Sequence, residues 1–150
     1  ELEIRHEHML SAVLATQLRL MLSTYEGATA QPVVLLATLP GEHHALGMEM
    51  AALYLALSGA TPRLLGVDSP PDQIVSAARH ARARVIGISI SASAKLDAVT
   101  EDLEWLLRET DDDTRVWLGG RRSKSVALIH PRLDRLPTWD DLDGALARLN

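Results

Sequence analysis

The sequence contains no cysteine and no phenylalanine. Without thiols, disulfides and thiolate metal ligands are excluded, and a reducing cytoplasm is the expected compartment. Without Phe, and with only three Trp and two Tyr, the core must be built from Leu, Ala, Val, Ile and Met. No apolar run reaches the roughly 18 residues of a membrane span, so no membrane partner is expected. The first residues, ELEIRHEHML, lack the basic-then-apolar layout of a signal peptide. Positive charge is also short. Fifteen Lys and Arg against twenty Asp and Glu give a formal −5, which argues against a broad basic surface for nucleic acid.

What is present is enough for one folded domain: 150 residues, 47% of them hydrophobic, can bury a real core. Residues 2–24 read as a helix, with Leu10, Leu14, Leu18 and Met21, and Val13 and Leu22 beside them, at three-to-four spacing. Over its first two turns that stripe gives way to Glu3, His6 and Glu7, with His8 near its edge. GATAQP, residues 27–32, reads as a linker. From Pro32 the pattern changes to short apolar runs separated by helical segments. PVVLLAT, PRLLGV, RVIGISIS and TRVWLGG read as strands, with a weaker one at Leu133–Leu136. Helices are expected from about Ala45 to Ser58, after Ser69 as a candidate N-cap, over KLDAVTEDLEWLLRE, and from Thr138, where Thr138 and Asp141 have capping-box spacing. The rhythm predicts an α/β fold: a Rossmann-like (flavodoxin-like) parallel five-stranded sheet flanked by helices, preceded by one further helix.

Folds of this kind bind ligands beyond the carboxyl ends of the strands. Three stretches converge there: Glu42-His43-His44 after the first strand, Ser89, Ser91 and Ser93 at the end of the third, and Gly119-Gly120 after the fourth. His44 read in isolation is a surface histidine. Glu42, two residues earlier, can hold one ring nitrogen and leave the other for a metal. The spacing does not fit zinc, and no second ligand cluster stands in this unit. One imidazole suits a metal that arrives in its own macrocycle. Gly119-Gly120 is either a tight turn or a close approach to a bulky ligand. No G-x-G-x-x-G follows the first strand. Trp105, Trp117 and Trp139 read as packing residues, and Arg121, Arg122, Lys124 and Asp111–Asp113 as solvated turns.

The run Glu42-His43-His44-Ala45-Leu46-Gly47 resembles the D-x-H-x-x-G signature of cobalamin-binding domains, with Glu for Asp. Ser89 resembles the start of their S-x-L segment, with Ser91 in place of Leu, and Leu118-Gly119-Gly120 resembles their later G-G. Upstream, HEHMLSAVLATQLRLML resembles the last helix of the bundle that precedes this domain in CarH/LitR-like, light-dependent MerR-type transcriptional regulators. The resemblance implies two parts: residues 1–26 as that last bundle helix, and 27–150 as the cobalamin-binding α/β domain. It implies His44 as the lower cobalt ligand in a base-off, His-on arrangement, oriented by Glu42. It implies Gly47, Ser89, Ser91, Gly119 and Gly120 around the displaced base and its tail, with His43 beside them. Glu7 and His8 would stand at the upper face of the corrin.

The cofactor implied is cobalamin, as adenosylcobalamin or methylcobalamin. The function implied is a non-enzymatic sensor module of a MerR-type regulator, light-responsive through adenosylcobalamin. A homo-oligomer is expected, with DNA contacted only through an N-terminal domain outside this chain. Two alternatives use the same fold: a corrinoid methyl carrier of a methyltransferase system, and a degenerate domain kept for protein contacts. The Glu7-His8 helix favours the sensor over the carrier.

Overall fold

The computed structural model describes residues 2–150, with side chains from Ile4 onward; Glu1 and the Glu3 side chain lie outside the described residues. Helix α1 spans Leu2–Ser23. Five strands follow, β1 Val33–Ala37, β2 Thr61–Gly66, β3 Val85–Ser89, β4 Arg115–Gly119 and β5 Leu133–Leu136. Between and after them come α2 Leu46–Leu57, α3 Pro71–Ala81, α4 Leu96–Glu109 and α5 Trp139–Leu149. All strands pair in parallel, in the order β2-β1-β3-β4-β5. This is the flavodoxin-like order. Its switch point lies between β1 and β3, where successive crossovers leave in opposite directions.

The strands are apolar throughout because both faces are covered. Successive side chains alternate between two cores. Leu35, Ala37, Ile86, Ile88, Val116 and Leu118 face one core, which also takes Ile74, Val75 and Ala78 of α3 and Val99, Leu103, Leu106 and Leu107 of α4. Val34, Leu36, Val85 and Trp117 face the other, against Met48, Ala52 and Leu55 of α2 and Leu142, Ala145 and Leu146 of α5. The alternation carries Gly87, Ser89 and Gly119 onto this second, α2/α5 face.

Helix α1 packs on α2 through the half-buried Ser11, Ala15, Leu18 and Leu22. Arg19 Nε reaches Glu49 Oε1 across that contact at 2.9 Å. The apolar stripe read from the sequence therefore divides. Leu18 and Leu22 pack, whereas Leu10, Val13, Leu14 and Met21 are exposed with Met9 and Leu20. Small Ser11 and Ala15 let the helices approach, and the larger residues flank the contact.

Ser69 is not the cap of α3. Its hydroxyl turns back to the carbonyls of Gly66 and Val67, and Pro70 takes the cap position. Pro70 and Pro71 have no N–H, so the first turn offers fewer donors for a cap to satisfy. At α5 the expected capping box is complete: Thr138 Oγ1 accepts from Asp141 N at 3.2 Å, and Asp141 Oδ2 accepts from Thr138 N at 3.1 Å. Helix α5 closes the second core, so losing this cap loosens that face. Thr138→Ala is expected to cost about 1 kcal/mol of unfolding free energy, read by urea denaturation.

Candidate functional site

The loop after β1 is fixed before it reaches its histidines. Thr38 is fully buried at the strand end. Its hydroxyl donates to the Glu42 carbonyl at 2.7 Å and accepts from Asp68 N at 2.9 Å. Asp68 N also reaches the Glu42 carbonyl at 3.0 Å, and Asp68 Oδ1 accepts from Gly41 N at 2.7 Å. The turn after β2 thus clamps the turn after β1. Thr38 and Asp68 were not among the residues singled out from the sequence. The available signal was a hydroxyl at the end of a buried strand, where an unpaired group would be costly.

That clamp sets Glu42 beneath the surface, 7% exposed. Its Oε1 accepts from His44 Nδ1 at 2.6 Å and from His44 N at 3.1 Å. Its Oε2 accepts from Ser91 N at 2.9 Å. One carboxylate therefore joins the loops after β1 and β3 across the switch point. Glu for Asp does not lengthen the bond to the imidazole. Burial pushes the Glu42 pKa up, but hydrogen bonds from Ser91 and His44 outweigh it and hold it at about 2. The His44 side chain is 71% exposed. With Nδ1 engaged by Glu42, Nε2 is the nitrogen left to face outward.

Ser89 lies on the α2/α5 face beside Gly119, its pairing partner on β4. A Cβ at Gly47 would stand 3.4 Å from Ser89 Oγ, so the bare glycine leaves space over the end of β3. Gly120 has φ +98, and a Cβ there would come within 1.9 Å of the Ile90 carbonyl oxygen. Only glycine allows β4 to pass that close to the loop after β3. Ser91 enters through its backbone, and its hydroxyl pairs with Ser93 at 2.9 Å. His43 is exposed and makes no hydrogen bond among the described residues. Glu7 and His8 are exposed on the first turns of α1. Glu7 precedes Ser11 by one turn on the stripe that packs on α2. Arg19 of α1 meets Glu49 near the start of α2, the helix that follows the loop carrying His44. The fold thus brings together Glu42, His44 and Ser91, and, beside them, Gly47, Ser89 and Gly119. Glu7 and His8 make no hydrogen bond to the loop among the described residues.

Among the described residues, no group of three or more His, Asp or Glu side chains could hold a metal ion. The chemistry on offer is one carboxylate-held imidazole beside a glycine- and serine-lined layer. A model of the B12 binding domain matches residues 32–127. The chain belongs to this family. In sequence it is 28% identical over 148 residues to the HTH-type transcriptional repressor CarH of Myxococcus xanthus, covering 95% of this chain and 49% of that protein. It is 29% identical over 107 residues to the repressor CarA of the same organism, covering 71% of this chain and 37% of that one. The chain therefore spans half or less of the curated relatives it matches. In fold it is similar to a cobalamin-binding protein from Desulfitobacterium hafniense, with TM-score 0.63, 22% identity, and 80% and 59% of the two chains covered. It is likewise similar to the methanol:cobalamin methyltransferase complex MtaBC from Methanosarcina barkeri, with TM-score 0.64, 18% identity, and 85% and 50% covered.

The residues present fit a corrinoid. Besides the aimed imidazole, the α2/α5 layer encloses a buried donor that has no partner among the described residues, the Trp117 indole N–H, on the face that Ser89 and Gly119 share. Buried donors are nearly always satisfied, so a polar occupant of that layer has something to meet.

Two expectations follow for the site. A carboxylate whose folded pKa lies below its ordinary 4.5 stabilises the fold fully above about pH 4.5 and loses that contribution as pH falls toward 2. A drop from 4.5 to about 2 corresponds to about 3 kcal/mol. Urea denaturation across that interval is expected to show a steeper loss of stability for the wild type than for Glu42→Gln. Gly120→Ala combines positive φ with a backbone collision, and is expected to cost at least about 3 kcal/mol, seen as a fall in the thermal midpoint.

Proposed function

We propose that this chain is the cobalamin-binding sensor portion of a MerR-type transcriptional regulator, not an enzyme. The observation that carries the reading is the Glu42–His44 pair, an imidazole aimed outward from the switch point by a buried carboxylate. His44 would hold cobalt from below through Nε2. Glu42 keeps the ring oriented and Nδ1 engaged, which leaves Nε2 as the basic nitrogen. Gly47, Ser89, Gly119 and Gly120 would receive the displaced base and its tail, and Ser91 and His43 would border that entrance. Glu7 and His8, exposed on the first turns of α1, would border the upper face.

Adenosylcobalamin, when bound, supplies a cobalt–carbon bond that light can break. The α1 helix is the element suited to respond. Among the described residues it touches the α/β unit along one narrow stripe and through one ion pair at α2, so small changes at its first turns would bias its position. A shift of α1 would alter self-association of a homo-oligomer, and through it DNA binding by a domain outside this chain. The corrinoid methyl-carrier reading is favoured by one observation, the fold likeness to MtaBC. The sequence relatives favour the regulator.

Reconstitution of the chain with adenosyl-, methyl- and hydroxocobalamin tests the reading. The wild type is expected to retain corrin absorbance with the spectrum of a histidine-ligated, base-off corrinoid. His44→Ala is expected to weaken binding at least about tenfold and to lose that lower-ligand spectrum. Retention as tight as wild type with an unchanged spectrum would refute it. Illumination of the adenosyl form is expected to change both spectrum and oligomer size. Methyl transfer to a partner enzyme without any light response would select the carrier.

A further inference from the structure

Trp117 is 3% exposed in the middle of β4, and its indole N–H has no acceptor among the described residues. It belongs to the α2/α5 core, otherwise lined by Val34, Leu36, Met48, Leu142 and other apolar side chains. An enclosed N–H without a partner costs about 1–3 kcal/mol, and an aliphatic or Phe side chain would fill an apolar core without that cost. Trp117 pairs with Gly87 across the sheet, and Ser89 pairs with Gly119 two residues further along. By the pleat, all four positions face the same layer. Trp117 therefore lies one side-chain repeat, about 7 Å, deeper than the Ser89 hydroxyl. The layer holds two donors at two depths, Ser89 at its mouth and Trp117 below.

Resting on the proposed function, we infer that Trp117 is a specificity residue for the lower base of the corrinoid, favouring a base with a second ring-nitrogen acceptor. The displaced 5,6-dimethylbenzimidazole of cobalamin offers one free ring nitrogen, on its five-membered ring, and carries methyl groups on the other. A purine base offers the corresponding nitrogen and two more on its six-membered ring. The first would satisfy Ser89 and a second would satisfy Trp117. With dimethylbenzimidazole, one of the two donors stays unpaired.

The test compares cobalamin, a cobamide with unsubstituted purine as lower base, and cobinamide, which has no base. Binding is followed by corrin absorbance and by quenching of tryptophan fluorescence. The wild type is expected to bind the purine cobamide about five- to tenfold more tightly than cobalamin, the scale of one net hydrogen bond. Trp117→Phe, with folding checked by its thermal midpoint, is expected to abolish that preference while still binding cobalamin. Equal affinity of the wild type for the two, or an undiminished preference in Trp117→Phe, overturns the inference and leaves the proposed function standing. If Trp117→Phe does not fold, the wild-type comparison decides alone. Failure of the wild type to bind any of the three overturns both.

Discussion

A single carboxylate organises this molecule's functional edge. Glu42 is buried, stays ionised well below the ordinary carboxylate range, and accepts three hydrogen bonds from two loops. Burial of a charge is costly, and it is tolerated only when bonds to the charged form compensate. Here those bonds run to the backbone and ring of His44 and to the backbone of Ser91. The condition that keeps Glu42 charged is therefore the same condition that orients the imidazole. Were the loop after β3 to move, Glu42 would lose an N–H donor, and the ring would lose the rigidity of its support.

The fold was legible because each strand is short, apolar and bounded by helical segments, a pattern that only a doubly covered parallel sheet satisfies. The carboxyl-edge location of Glu42, His44, Ser89 and Gly119 followed from that pattern alone. The Glu42–His44 contact was legible as a two-residue spacing, because so short a loop leaves few ways for the side chains to avoid each other. At Ser91 the sequence shows the side chain, and the structure adds the backbone: its amide bonds Glu42, while its hydroxyl pairs with Ser93. Backbone donors leave no trace in residue identity.

Other features needed three dimensions. Thr38 and Asp68 clamp the loop from positions thirty residues apart, and neither residue type is unusual where it stands. The stripe on α1 was read from periodicity, which says that a helix has an apolar side but not which part of it meets a neighbour. Ser11 and Ala15, too small to register as apolar, define the contact, while Leu10 and Leu14 flank it. The orphaned Trp117 N–H is invisible in sequence, where Trp117 reads as packing. It is packing, but with one polar atom left over.

These features share a direction. Thr38 and Asp68 fix the loop, the loop fixes Glu42, Glu42 fixes His44, and Gly120 lets β4 close against Ile90 beside them. Rigidity is concentrated at the carboxyl edge of the α/β unit. The α1 helix is its opposite, held along one stripe and at the Arg19–Glu49 pair, with most of its apolar side exposed. Coupling between a rigid site and a loosely held element requires that whatever occupies the site also touch the element. Glu7 and His8 stand on the first turns of this loosely held helix, where polar groups take over from the apolar side. On the proposed reading, a ligand on His44 biases where α1 rests only by touching those turns, without any rearrangement of the sheet beneath it.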